Sequence, residues 1–202
     1  AFKATVKDSI VYLSGRTDST GNPVSGDALV TSYNTNDGSF NWQYNFNPVP
    51  DYGYEEIDGL IVQPDGIYLS GWKTAPNDTM DFLIQKIDLS GQLIWSNTWG
   101  TDNFDGANGH FAMDNDYLYI AGTYNGKNLV LNVPIDADMA LACFSRANGA
   151  YQWHVTWGGA SYDDALGMTM SSDSMLYVVG FTGSFGNGSQ TSLNIYSRTG
   201  QI

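Results

Sequence analysis

A short signature returns along this chain at nearly constant spacing, and no other feature limits its fold so sharply. Tyr-x-x-Gly occurs as Tyr12 to Gly15, Tyr68 to Gly71, Tyr119 to Gly122 and Tyr177 to Gly180. Gly-x-x-x-Trp follows the first three copies, as Gly38 with Trp42, Gly91 with Trp95 and Gly149 with Trp153. A second aromatic stands four residues beyond each Trp: Phe46, Trp99 and Trp157. Between these two motifs, Asp27, Asp81 and Asp138 each open an apolar run. The pairs Tyr54-Glu55, Phe104-Asp105 and Tyr162-Asp163 complete the unit, each with a glycine four residues after the acid. Self-similarity at a period of roughly 50 residues marks a repeat architecture, in which each unit buries its apolar face against the next.

Each unit contains four strand-like segments. In the second they fall at 57–63, 67–72, 82–87 and 93–99, with turn signals at Pro64-Asp65-Gly66 and Leu89-Ser90-Gly91. Four strands per unit is the blade of a β-propeller. The expected fold is therefore all-β, a single propeller domain over 1–202, with blades at approximately 1–48, 49–100, 101–159 and 160–202. Composition agrees: two Glu, five Lys and three Arg cannot supply the solvated faces of surface helices. Side chains at i and i+4 share a strand face. Trp42, Trp95, Trp99, Trp153 and Trp157 are thus expected to fill the wedge between adjacent blades, with Gly15, Gly71, Gly122 and Gly180 in equivalent second strands.

Charge and cysteine content narrow the function classes. A formal charge of −13 lacks the basic stripe that nucleic acid requires and opposes docking on anionic membranes. The single Cys143 excludes an internal disulfide framework and multi-cysteine metal motifs; it is expected to be a small buried apolar residue. No apolar run approaches the roughly 18 residues of a spanning helix, so no membrane insertion is expected.

The full pattern resembles the bacterial and archaeal β-propeller repeats called SBBP repeats. Trp153 to Gly159 followed by Tyr162-Asp163-Asp164-Ala165 carries the likeness most closely, and it extends over essentially the whole chain. The first unit departs from it, with Phe46-Asn47-Pro48 in place of Trp-Gly-Gly, and the fourth has Gln190-Thr191-Ser192 where an Asp should open the third strand. The resemblance implies a propeller in an extracellular or cell-surface protein and no reaction. Asp88-Leu89-Ser90-Gly91 with Trp95 is also similar to the tryptophan-docking motif of quinoprotein dehydrogenases. Membership there would imply eight blades and a calcium-bound quinone, commonly under a vicinal disulfide. One cysteine and about four blades do not supply these, so the motif is read as glue between blades.

Alignment of the units starts the chain inside an innermost strand and ends it before the Trp expected four residues after Gly200. Fifteen strands result, the fourth blade lacking its outermost. A segment of a larger propeller is the expectation, and a closed four-bladed ring the alternative. The third strand of that blade, 193–197, should then have an unpaired edge, which invites pairing with another chain.

The loops from second to third strand, at 16–26, 72–80, 123–137 and about 181–190, are long and unequal, and long loops on a rigid scaffold are where binding resides. Fourteen acidic residues are assigned to that face against Arg16, Lys73 and Lys127. The once-per-blade acids Asp27, Asp81, Asp138, Glu55, Asp105 and Asp163 are candidate calcium ligands, because clustered carboxylates are what hard cations take. Capping of loop N–H groups is the structural alternative. No catalytic constellation emerges. His110 and His154 lack partners at metal spacing and are expected to be surface or channel-lining. The adjacent Asp163 and Asp164 face opposite ways and cannot flank one bond. The sequons at Asn77 and Asn187 are compatible with secretion. The expected function is a non-enzymatic extracellular or cell-surface module for interaction or assembly, whose partners are further blades or other protein chains, with no cofactor unless calcium. The alternative is a glycan-binding or glycan-cleaving propeller, with Trp72, Tyr124 and Phe185 as its available aromatics.

Overall fold

The computed structural model describes residues 3–17, 26–47, 53–75, 79–127, 136–186 and 188–201. Those residues form fifteen strands in four antiparallel sheets, each a meander in chain order. The first sheet comprises β1 (Lys3–Lys7), β2 (Ile10–Thr17), β3 (Asp27–Asn34) and β4 (Phe40–Phe46). The second comprises β5 (Glu55–Gln63), β6 (Gly66–Thr74), β7 (Met80–Ile87) and β8 (Leu93–Trp99). The third comprises β9 (Phe104–Met113), β10 (Tyr117–Lys127), β11 (Asp136–Ser145) and β12 (Tyr151–Trp157). The fourth has β13 (Asp163–Met170), β14 (Leu176–Thr182) and β15 (Gln190–Tyr196), with β15 at its edge.

The core lies between the sheets. Tyr12, Val30 and Tyr44 of the first sheet pack on Ile57, Leu69, Leu83 and Ile87 of the second. Tyr68, Phe82 and Ile84 then meet Leu118, Ile120 and Phe144. Tyr119, Leu141 and Cys143 meet Leu176, Val178 and Tyr196. Alternation along β6 and β10 sends the repeated Tyr to the following sheet and its neighbours to the preceding one. Cys143 is fully buried, as its apolar surroundings require.

The outer-strand tryptophans seal these junctions. Trp42 lies on Tyr12 and donates its indole N–H to the Leu89 carbonyl of the next sheet at 3.0 Å. Trp99 is stacked between Tyr124 and Tyr151 of the third sheet, with centroids 5.1 and 5.9 Å away. Trp157 leans on Tyr196. His154 joins the Trp99 group, its Nδ1 2.7 Å from Tyr151 Oη. As the sequence reading expected of a surface histidine, it is solvent-exposed on the outer strand, at the rim of that aromatic group.

Two features differ from expectation. Residues 123–127 and 136–137, assigned to a long loop, extend the β10–β11 ladder with an irregularity near Tyr124. Each of the first strands β5, β9 and β13 also carries a bulge, where register shifts between Ile57 and Gly59, between Ala107 and His110, and between Ala165 and Gly167. The repeated glycine four residues after the acid was its signal. The bulge explains Tyr-x-x-Gly too. A Cβ on Gly71, Gly122 or Gly180 would stand 1.8, 2.1 or 2.0 Å from a backbone oxygen of the adjoining first strand.

Candidate functional site

Three places carry chemistry: the acid pairs at each junction, a polar groove where the first strands converge, and the bare faces of the end sheets.

Three of the recurring acids, Asp27, Asp105 and Asp163, accept hydrogen bonds from nearby loop groups. Asp105 Oδ2 accepts from Thr101 N at 2.6 Å and Thr101 Oγ1 at 2.8 Å, while Oδ1 accepts from Asn125 N at 2.7 Å. Asp163 Oδ2 accepts from Gly159 N at 3.0 Å and Ser184 Oγ at 2.6 Å. Asp27 Oδ1 accepts from Asn47 Nδ2 at 2.9 Å. Each of the three faces an acid of the neighbouring blade. A Cβ on Gly158 would stand 2.1 Å from Asp138 Oδ1 and 2.7 Å from Asp163 Oδ2, so both oxygens border one small volume; Gly100 stands likewise between Asp81 and Asp105. Burial, then the facing acid, push Asp81 and Asp138 above the usual carboxylate range. Glu55, buried beside Asp27 and opposed by Lys73, is pushed up to about 7. Among the described residues no three of His, Cys, Asp and Glu converge as a ligand set. Asp18, Asp51, Asp78, Asn77 and Asn187 lie outside the described residues.

The bulges aim polar side chains at a groove between the first strands, as bulges near functional sites do. Lys3, Glu56, Asp58, Trp72, Asn108, Gly109 and His110 line a cavity of about 370 Å³. Arg16 Nη1 donates to Glu56 Oε2 at 3.2 Å. Burial, with the Glu56 carboxylate bonded beside it, pushes Asp58 up to about 8, against the opposing Arg16 charge and Trp72 N–H. Near neutrality the Glu56–Asp58 pair therefore holds a proton. Asn108 donates to Asp164 Oδ1 at 2.7 Å, and Thr123 Oγ1 to the same oxygen at 2.6 Å. Burial, then the nearby Lys3 charge, lower the His110 pKa, so His110 is neutral at pH 7. Neither Glu56 nor Asp58 was among the sequence candidates; the bulge glycine is the signal that could have found them. The three available aromatics are dispersed: Trp72 is in this groove, Tyr124 on Trp99, and Phe185 exposed elsewhere.

The third place is a sheet face. Tyr119 opposes Cys143 and Ala121 opposes Leu141 in the third sheet, all fully buried under the fourth. In the fourth sheet the same register places Tyr177 opposite Ile195 and Val179 opposite Leu193. There Val179 is 42%, Leu193 59% and Ile195 38% exposed.

No family model matches the sequence, and no curated protein does. Among solved structures, the quinohemoprotein alcohol dehydrogenase from Comamonas testosteroni superposes with a TM-score of 0.56 at 14% identity, over 90% of this chain and 29% of that one. The fold is a β-propeller. At this identity the likeness extends to the fold alone, and the four sheets are its blades.

Proposed function

We propose that this propeller chain is a non-enzymatic module for protein interaction or assembly, working at the extracellular face of a cell. The observation that carries this reading is the outward face of blade 4. It repeats, position for position, a surface that is fully buried at the preceding junction, and it exposes Leu193, Val179 and Ile195. A contiguous apolar sheet face is an interaction surface by its chemistry. The adjacent edge strand β15 has neither proline nor lysine to blunt it. Light scattering over a range of concentrations tests this. The chain is expected to self-associate, and Leu193→Lys with Ile195→Lys to yield a monomer, since both side chains point away from blade 3. A chain that stays monomeric at every concentration overturns the reading.

One observation favours a second reading. The Glu56–Asp58 pair is a carboxyl beside a carboxylate, with Trp72 in the same groove, which suits binding or cleavage of a glycan. Turnover in a panel of hydrolysis assays, abolished by Asp58→Asn, would establish it over the first.

A further inference from the structure

At three successive junctions, an outer-strand tryptophan is received by a left-handed glycine in the next blade. A Cβ on Gly91 would stand 2.7 Å from Trp42 Cε3, one on Gly149 2.7 Å from Trp95 Cε3, and one on Gly200 2.8 Å from Trp153 Cζ3. These glycines have φ of +85°, +71° and +76°. The positive φ suits the β3–β4 type of turn, and the missing side chain lets the indole lie flat on the backbone. Gly38 occupies the same turn of blade 1 with φ +72°, and nothing lies within 4 Å of its Cβ position.

The surface around Gly38 matches the surface that receives Trp42. In blade 2, Ile67, Leu69, Leu83 and Ile87 are buried against blade 1. Register assigns the same places in blade 1 to Val11, Leu13, Leu29 and Tyr33. All four are half-buried, and Phe40 and Val6 beside them are 55% and 65% exposed.

We propose that the Gly38 turn and this apolar face of blade 1 are a receiving site for the outer strand of another β-blade, anchored by an indole laid over Gly38. The proposal rests on the assembly reading and names the partner's chemistry. A second copy of these 202 residues does not supply it. Trp42, Trp95 and Trp153 already cover their own glycines, Trp99 and Trp157 are packed on the following blades, and Trp72 lies in the polar groove. The occupant is a blade that brings its own outer-strand tryptophan.

A chimera tests this with the chain's own material. Residues 53–107 placed ahead of Ala1 add a copy of blade 2 and keep the native spacing from Trp95 to the following first strand. Gly38→Asn is the probe, because Asn tolerates the left-handed region while its side chain obstructs the indole. In the unextended chain the substitution is expected to move the thermal midpoint by about 1 °C or less; in the chimera it should lower it by about 5 °C. Replacing the added tryptophan with alanine should abolish that difference. Equal shifts in both backgrounds overturn the proposal, as does an added blade that remains sensitive to protease. The assembly reading fails separately, by the light-scattering result on the unextended chain.

Discussion

At the scale of single residues, close approach of backbone decides more than side-chain chemistry does. Gly71 sits where the bulge turns the Glu56 carbonyl toward the second strand, and a methyl group there would be 1.8 Å from that oxygen. Neither strand can retreat, because Ile57 and Leu69 on either side are locked into the junction core. Gly71→Ala is therefore expected to cost about 3 kcal/mol or more, in the range of an overpacked core rather than of a helix-propensity change. Gly188→Ala meets no atom within 4 Å and should cost only the smaller strain of its positive φ. Urea denaturation of both variants measures the contrast; equal losses would mean that the bulge relaxes freely. The identity of these glycines was legible in the sequence from their recurrence, but the reason was not. Period-two alternation describes regular strands and is silent on an extra residue, so Asp58 and Asn108 were not recognised as the side chains the bulges aim inward.

At the scale of elements, β5 concentrates the molecule's unfavourable charge. It places Glu55, Glu56 and Asp58 within four residues, facing Lys73, Asp27 and Arg16. Burial, then the opposed charges, hold Glu55 at about 7, and burial with the Glu56 bond holds Asp58 at about 8. In the unfolded chain both would titrate near 4. The folded form thus binds more protons between about pH 4 and 8, so stability falls as pH rises through that window. The thermal midpoint is expected to be higher at pH 5 than at pH 8, by an amount corresponding to a few kcal/mol. Glu55→Gln together with Asp58→Asn should flatten the profile. Asp65 and Asp114 run the other way: hydrogen bonds and nearby cations outweigh burial and lower both, so their contribution disappears only in stronger acid. A midpoint that rises from pH 5 to pH 8 would refute the assignment to β5. The strands themselves were readable from turn residues and alternation. The extension of β10 and β11 was not, because Asn125-Gly126 looks like a loop until the Asp105 carboxylate binds the Asn125 N–H.

At the scale of the molecule, the four blades behave as a linear array. Each packs on its neighbour in chain order, and among the described residues no extensive strand packing joins blade 4 to blade 1. In such an array stability is a sum of unit and nearest-neighbour terms, so units with two neighbours outlast units with one. Blades 2 and 3 are covered on both faces, by the cores around Tyr68 and Phe144 and those on either side. Blades 1 and 4 are each covered on one. Hydrogen exchange should therefore be slowest in β6, β7, β10 and β11, and faster in the equivalent strands β2, β3, β14 and β15. Phe144→Ala, which opens the central junction, should cost about 3–5 kcal/mol and accelerate exchange on both sides of it. A ring closed through blades 1 and 4 would remove the gradient, because every blade would then have two neighbours. Equal protection in all four blades of a monomer would thus show closure, whereas protection that rises in blade 1 alone on fusing a preceding blade would trace the gain to the face around Gly38.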